Sequence, residues 1–505
     1  MKKIKKILAA VMTLAMVLGM SMTTFAATKD TATITILDED GIAVEIFEAG
    51  TNEDGVELSY APIIVPDRAT VTGWAFAGNT SSDVVKDMRV TDAFVTAFTP
   101  DAGPTPSDQD VINTLIETQK DSDNIATSNT TQIAAALSTI AASGITYTTA
   151  TTNPFQVTEA GVYIIKAAQE GYTYNTMAAY IGFGEVTIGD NEYEYPSLID
   201  AEITAKRAPE SVTKGSGDED GAVAVDDIVT YTIEAYVPFI DPNDTDKTFG
   251  ITDTIYGADY YLSGEGSVAT VVMDGEDDPV ATADDFIVTD GSFDIDLSEL
   301  ITADNANAGK KITVTYTAKV TGSKVNNSAA SHVGDVRHDS NPVELITGEI
   351  TLTKTDSEDP SLLLPGAGFN VTKAGSADLL TFTEIAVGDY VYDKEGVVTE
   401  VVTDENGKLV IRGLDAGTYN FKEITAPEGY HVKNDPSGVD ASATLTVGDK
   451  NAEGVMFDEI GLTNTKLSSL PSTGGIGTTI FTVGGCIIMI AAAGLFFASR
   501  RKSSK

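Results

Sequence analysis

Ile228-Val229-Thr230-Tyr231-Thr232-Ile233-Glu234-Ala235-Tyr236 and Lys311-Ile312-Thr313-Val314-Thr315-Tyr316-Thr317-Ala318-Lys319 decide the fold class. Both are rich in β-branched and aromatic residues, and both alternate apolar with polar side chains. Successive side chains of a strand point to opposite faces, so each stretch reads as a strand with one buried face. The turn signals Gly264-Glu265-Gly266, Asp274-Gly275 and Asp290-Gly291 lie between them. Many short strands at this spacing predict an antiparallel sandwich over residues 201–345.

Moving toward the C-terminus, residues 346–466 read as a second β unit. Ile350 to Thr355 is a strand, and Asp404-Glu405-Asn406-Gly407 reads as a hairpin turn between alternating runs. Gly413 and Gly417 precede another strand, Thr418 to Glu423. Toward the N-terminus, residues 27–200 are mixed. Ala32 to Leu37 runs as a strand into the turn Asp38-Glu39-Asp40-Gly41, and Gly161 to Lys166 and Ala178 to Gly182 read as strands. Val111, Ile112, Leu115 and Ile116 have helical spacing, as do Ile133, Ala134, Leu137 and Ile140 ahead of Gly144. The expected class is mainly β: tandem immunoglobulin-like sandwiches behind a first, α+β-decorated β domain.

The ends carry targeting signals. Lys2, Lys3, Lys5 and Lys6 precede an apolar run and the small residues before Ala26-Ala27. This predicts a signal peptide over 1–26, cut between Ala26 and Ala27. At the other end, Leu470-Pro471-Ser472-Thr473-Gly474 closes a spacer and signal over 467–475. An apolar run over 476–498 and a basic tail over 499–505 follow. About 20 apolar residues cross a bilayer as a helix, with the basic end on the cytoplasmic side.

Charge is concentrated between these ends. The whole chain carries 32 Lys and Arg against 75 Asp and Glu. Eight of the basic residues and none of the acidic ones lie in the signal peptide and the tail, which leaves 24 against 75, a formal −51. Such a surface repels nucleic acid and anionic lipid. Cys486, in the apolar run, is the one cysteine in the sequence, so the exported part contains no disulfide and any covalent staple must be of another kind.

The C-terminal pentapeptide, apolar run and basic tail resemble the LPXTG sorting signal of Gram-positive surface proteins, in which a sortase cuts between Thr and Gly and passes the Thr acyl group to an amine. The stretch Gly417-Thr418-Tyr419-Asn420-Phe421-Lys422-Glu423-Ile424-Thr425-Ala426-Pro427-Glu428-Gly429-Tyr430, with Lys354 ahead of it and Asn464 after it, resembles the B-type domain of collagen-binding adhesins and pilins. That resemblance implies an intramolecular isopeptide bond between Lys354 and Asn464, promoted by Glu423. The chemistry needs these residue types. An amine attacks only when neutral, and burial pushes a lysine down; burial pushes a carboxyl up, so that it can stay protonated. A protonated Glu423 would then hydrogen-bond the Asn464 amide oxygen and polarise its carbon, and ammonia would leave.

The middle unit resembles the isopeptide-forming domain of backbone pilins, through Val225 to Ile233, Phe249 to Ile255 and Asn326-Asn327-Ser328-Ala329. There the acid maps to Asp253 and the amide to Asn327, with Asn326 as the alternative. The amine maps to Lys214 after Pro209 to Thr213, with Lys206 as competitor. Backbone pilins carry Tyr-Pro-Lys as acceptor for the next subunit; here the place reads Tyr195-Pro196-Ser197, and Lys206 is the nearest candidate, Lys214 the next.

Enzyme motifs are absent from the sequence. His332, His338 and His431 read as lying in separate turn-like contexts, without metal-ligand spacing. Asp218-Glu219-Asp220 and Asp241 to Asp246 lack the Gly and terminal Glu of an EF-hand loop. We therefore expect no metal, no cofactor and no catalytic turnover. The resemblance as a whole implies a shaft subunit of a sortase-assembled pilus, anchored in the cell wall of a Gram-positive bacterium. Its expected partners are a pilus-class or housekeeping sortase, copies of itself, other pilin subunits, peptidoglycan and a host surface ligand, with no nucleic acid. The alternative is a monomeric wall-anchored adhesin binding a host or matrix ligand.

Overall fold

A computed structural model describes residues 31–66, 74–77, 112, 116, 137, 141, 145–188, 191–240, 244, 246–302, 305–433, 438–467 and 477–502. The chain forms two compact units. The first runs to Glu344, except that Asp220–Asp227 and Gly322–Lys324 belong to the second unit together with Leu345 onward.

The N-terminal part of the first unit is built on Ala32–Leu37, whose Ala32, Ile34 and Ile36 are fully buried. This strand pairs in parallel with Ala201–Thr204 and antiparallel with Phe155–Val157. A five-stranded sheet runs Trp74–Phe76, Glu57–Pro66, Gly161–Ala168, Met177–Ile181, with Thr148–Thr149 on Glu57–Pro66. Ile112, Ile116, Leu137 and Ala141 are helical and buried, and join Ile63, Ile64, Val162 and Ile164 in one apolar cluster. The helical spacing was therefore legible there; Val111, Leu115, Ile133, Ala134 and Ile140 lie outside the described residues.

The later part of the first unit forms a sandwich of two six-stranded sheets. One has the order Thr213–Ser216, Ile228–Tyr236, Lys311–Val320, Ala269–Met273, Ala281–Thr282, with Ala258–Tyr260 also on Lys311–Val320. The other has the order Ile287–Thr289, Ser292–Asp296, Phe249–Tyr256, Lys324–Val333, Val336–Asp339, with Val343–Ile346 on Lys324–Val333. The period-2 pattern sends Val229, Tyr231, Ile233 and Ala235 inward from one strand. Ile312, Val314, Tyr316 and Ala318 point inward from its neighbour. Tyr231 lies directly across from Tyr316 in this register, and their rings stack at 5.5 Å.

The second unit packs a five-stranded sheet on a four-stranded one. The first has the order Phe382–Ala386, Asp389–Tyr392, Lys408–Leu414, Gly348–Asp356, Met456–Asn464. The second has the order Val401–Val402, Gly368–Lys373, Gly417–Thr425, Ala441–Leu445. The first and last strands of the unit, Gly348–Asp356 and Met456–Asn464, are parallel neighbours from Gly348↔Met456 to Asp356↔Asn464.

The hairpin expected at Asp404–Gly407 is corrected. The turn is tight, closed by Gly407 N–H on Asp404 O at 3.0 Å and by the Asp404 carboxylate on the N–H groups of Asn406 and Lys408. Yet Val401–Val402 and Lys408–Leu414 join different sheets, so the turn carries the chain across the sandwich. Gly407 has φ +65°, and a Cβ there would meet Lys354 O at 2.8 Å. Its carbonyl accepts the Lys354 N–H, so this glycine lets the turn close onto the strand that holds Lys354.

Gly477–Lys502 is a single helix. Its segment Ile480–Arg500 has a mean hydropathy of 2.3 and lies unburied, long enough to cross a bilayer. The signal peptide with Ala26-Ala27, and Leu470 to Gly474, lie outside the described residues.

Candidate functional site: two buried lysine, acid and asparagine clusters

In the second unit, Lys354 and Asn464 come from the paired first and last strands, and Glu423 from Gly417–Thr425 of the facing sheet. Odd–even alternation turns all three inward. Lys354 is fully buried, with Glu423 at 1% and Asn464 at 2% exposure. The Lys354 Nζ donates to Asn464 Oδ1 at 2.6 Å and to the Leu462 carbonyl at 3.3 Å, and lies 3.8 Å from Glu423 Oε1. Asn464 Nδ2 donates to Glu423 Oε1 at 2.7 Å. Burial pushes the Lys354 amine down to about 8, against the pull of Glu423.

The expected contact between Glu423 and the amide oxygen is therefore corrected: the carboxyl meets the amide nitrogen. The reason is donor–acceptor matching. The lysine can only donate and takes the oxygen, which turns the NH2 group toward the carboxyl. The sequence also left unassigned what holds Glu423. Its Oε2 accepts the Lys433 N–H at 2.7 Å, and its own N–H donates to the buried Asp440 Oδ2 at 2.9 Å. These bonds tie the segment after the box over the cluster.

The middle cluster spans the two sheets of its sandwich. Lys214 lies on the edge strand Thr213–Ser216 of one sheet; Asp253 and Asn327 lie on the paired strands Phe249–Tyr256 and Lys324–Val333 of the other. The side chains of Lys214 and Asp253 are fully buried, as is Asn327. Lys214 Nζ donates to Asp253 Oδ2. It also donates to the Tyr316 hydroxyl at 2.7 Å, which donates in turn to Asp253 Oδ1 at 2.8 Å. Asn327 Nδ2 donates to the same hydroxyl at 2.7 Å, and Tyr260 donates to Asp253 Oδ1 at 2.9 Å. Phe293 packs edge-on against Tyr316 at 4.9 Å, closing an aromatic box. Burial pushes Lys214 down against Asp253, and pushes Asp253 up against Lys214 and the tyrosines.

Of the alternatives the sequence left open, the structure brings in Lys214 and Asn327. Asn326 is exposed and reaches Glu344 at 3.3 Å. Lys206 is exposed between Ala201–Thr204 and Arg207–Pro209. The turn-like reading of His332 and His338 is corrected. They lie on the paired strands Lys324–Val333 and Val336–Asp339, joined through Gly334, and His332 Nε2 meets Thr252 Oγ1 at 2.7 Å. Sequence reasoning missed Tyr231, Tyr260 and Tyr316. Only their inward parity on alternating strands signalled them.

A further polar cluster lies at the end of the last strand. Asp356, facing Asn464 in register, accepts from Tyr430 at 2.7 Å and pairs with Lys466 at 2.9 Å. The segment Gly429–His431 runs alongside Thr465–Leu467 through main-chain bonds.

Residues 348–453 match the SpaA family, a prealbumin-like fold domain, and residues 463–505 match the LPXTG cell wall anchor motif. The chain is 23% identical over 440 residues to the trypsin-resistant surface T6 protein of Streptococcus pyogenes serotype M6, across 68% of this chain and 79% of that protein. Among solved structures it is similar to the T6 backbone pilin of the same serotype, at TM-score 0.48 and 16% identity over 84% of this chain and 81% of that one. It is also similar to the full-length major pilin SpaD of Corynebacterium diphtheriae, at TM-score 0.46 and 16% identity over 88% and 99%. The anchor motif and the apolar helix make this a cell-wall-anchored surface protein whose precursor is held transiently in the membrane.

Proposed function

We propose that this chain is a structural subunit of a covalently polymerised surface pilus. Sortase joins it through Thr473 to a lysine of the next copy, and a Lys214–Asn327 isopeptide bond closes its second domain, over 201–345, and a Lys354–Asn464 bond its third, over 346–466. The observation that carries the reading is an LPXTG anchor placed directly after a domain whose first and last strands bury a lysine 2.6 Å from an asparagine amide, with an acid of the facing sheet 2.7 Å from the same amide. The similarity to the trypsin-resistant surface T6 protein, 23% identical over 440 residues, supports a surface role.

The chemistry at Asn464 is a transamidation. The neutral Lys354 amine bonds to Asn464 Cγ. Glu423 takes a proton from Nζ and gives it to Nδ2 as the Cγ–Nδ2 bond breaks. Ammonia leaves and Glu423 is regenerated. Strand pairing has already brought the reactants together, which removes most of the entropic cost. The reaction runs once per molecule, so it is maturation and not turnover.

Wall extracts from the producing cells should show high-mass ladders that survive boiling in detergent and vanish in a sortase-deficient strain. Lys206→Ala should abolish them. Monomer alone in the wild-type extract would favour the wall-anchored adhesin and end the shaft reading. A ladder that persists in Lys206→Ala would move the acceptor to another lysine.

A further inference from the structure

The two clusters differ in one group. In the second unit the acid itself touches the amide nitrogen, through Glu423 Oε1. In the middle domain Asn327 Nδ2 donates to the Tyr316 hydroxyl. That hydroxyl also accepts from Lys214 Nζ and donates to Asp253 Oδ1. A phenol oxygen has one proton and two lone pairs, and here all are used. The oxygen sits 2.7 Å from the nitrogen that must attack and 2.7 Å from the nitrogen that must leave. Tyr316 is fully buried, and its ring is held between Tyr231 and the edge-on Phe293. Asn327 Oδ1 is buried and lacks a hydrogen-bond partner among the described residues, so the hydrogen bond of Nδ2 to Tyr316 orients the amide.

We propose that Tyr316 is a catalytic residue of the Lys214–Asn327 crosslink, the proton relay between the two reacting nitrogens; the inference rests on the crosslink reading above. Asp253 takes the first proton from Lys214 Nζ at Oδ2. The neutral Nζ bonds to Asn327 Cγ, and Nδ2 becomes tetrahedral with a lone pair toward the phenol. The Tyr316 O–H turns from Asp253 to Nδ2 and gives up its proton there, while the phenol oxygen takes the second proton from Nζ. The Cγ–Nδ2 bond breaks and ammonia leaves. Tyr316 ends as a neutral phenol, and Asp253 ends protonated. The division of labour differs from the other cluster, where one carboxyl reaches both nitrogens.

The test is full-length chain made by cell-free synthesis, quenched in acid at intervals and digested. The Lys214–Asn327 crosslinked peptide is quantified by mass spectrometry, and the Lys354–Asn464 peptide serves as an internal clock. Tyr316→Phe keeps the ring and should slow the first crosslink about a hundredfold, the low end for a positioned acid–base group, without changing the second. Tyr260→Phe removes a hydroxyl that touches Asp253 but neither reacting nitrogen; it should slow the first crosslink far less than Tyr316→Phe does, and equal slowing by the two variants overturns the relay. A wild-type rate in Tyr316→Phe overturns the relay and leaves the crosslink reading standing. Absence of the Lys214–Asn327 peptide from wild type overturns the crosslink reading itself. Should Tyr316→Phe prove protease-sensitive throughout the middle domain, 3-fluorotyrosine at position 316 decides. It keeps ring and hydroxyl but is a stronger acid, and a rate for the first crosslink identical to wild type overturns the relay.

Discussion

Asn464 lies two positions past Leu462, the register partner of Lys354 on the parallel neighbouring strand, and its amide oxygen is 2.6 Å from the Lys354 Nζ. Positions two apart share a face, so the same parity buries both side chains. The lysine leans along its strand to reach forward. Parallel pairing of first and last strands is what makes this reach possible, and it ties together residues 110 positions apart.

Removing the acid should uncouple burial from bonding. Glu423→Ala leaves Lys354 buried without its carboxyl, and taking one partner from a buried pair costs about 3–5 kcal/mol. It also removes the group that passes protons between the two nitrogens. Intact-mass measurement should show the variant heavier than expected from the substitution by one ammonia, and limited proteolysis should cut the second unit faster. A variant that still lacks that ammonia would sink the role given to Glu423.

Removing the amide tests the crosslink as a staple. Asn464→Ala keeps the strand but leaves no carbon to attack. By analogy with a disulfide closing a loop of about 100 residues, the lost staple is worth about 4–5 kcal/mol. Chemical denaturation should show the second unit unfolding well before wild type. Equal midpoints would mean that Lys354 and Asn464 are not joined.

Formation of the Lys354–Asn464 bond should follow the neutral amine. The folded-state value for Lys354 is about 8, below the usual lysine value, because of burial. Below about 8 the rate should rise about tenfold per pH unit, and it should level off above. The sign for stability is the same. Before the bond forms, the unfolded chain binds the proton more tightly than the folded one, so the unlinked domain gains stability as pH rises from about 8 toward the ordinary lysine value. Chain made by cell-free synthesis and shifted to a series of pH values before quenching reads this directly. A flat profile across pH 8 would separate the rate from the amine.

How much of this was legible in the sequence depends on the range of the contact. The alternation in Ile228–Tyr236 and Lys311–Val320 is local, and it announced both the strands and the inward side chains. The box around Glu423 and the position of Lys354 and Asn464 on outer strands were legible by resemblance. The relay through Tyr316 was not. Its contacts with Asp253 and Asn327 cross between sheets, and its contact with Lys214 spans an intervening strand; nothing within Lys311–Val320 distinguishes its inward tyrosine from an ordinary core aromatic. The turn at Asp404–Gly407 failed for the related reason that turn chemistry is local, whereas the sheet a strand joins is decided by distant partners. The orientation of the Asn464 amide was hidden too, because it follows from which group is acceptor and which donor once all three are buried.

The chain leading to the sorting signal is held by Tyr430, and this can be tested apart from the crosslinks. Tyr430 donates to Asp356 at 2.7 Å, Lys466 meets the same oxygen at 2.9 Å, and Leu467 N–H bonds Gly429 O at 2.9 Å. Tyr430 first, then Lys466, holds the Asp356 carboxyl well below the usual carboxylate range. A carboxyl lowered in the folded state contributes stability above its unfolded value, and that contribution is lost only as pH falls through the lowered one. The clasp therefore persists into strong acid. Tyr430→Phe keeps the ring but removes the donor, so Asp356 should move back toward the ordinary range and the clasp should open at a higher pH. Amide hydrogen exchange at Thr465, Lys466 and Leu467 should be faster in the variant, and its acceleration on acidification should begin earlier. The Lys354–Asn464 crosslinked peptide should form as in wild type, since neither reacting nitrogen touches Tyr430. Unchanged exchange at these amides would show that the main-chain pairing with Gly429–His431 holds the segment without the tyrosine.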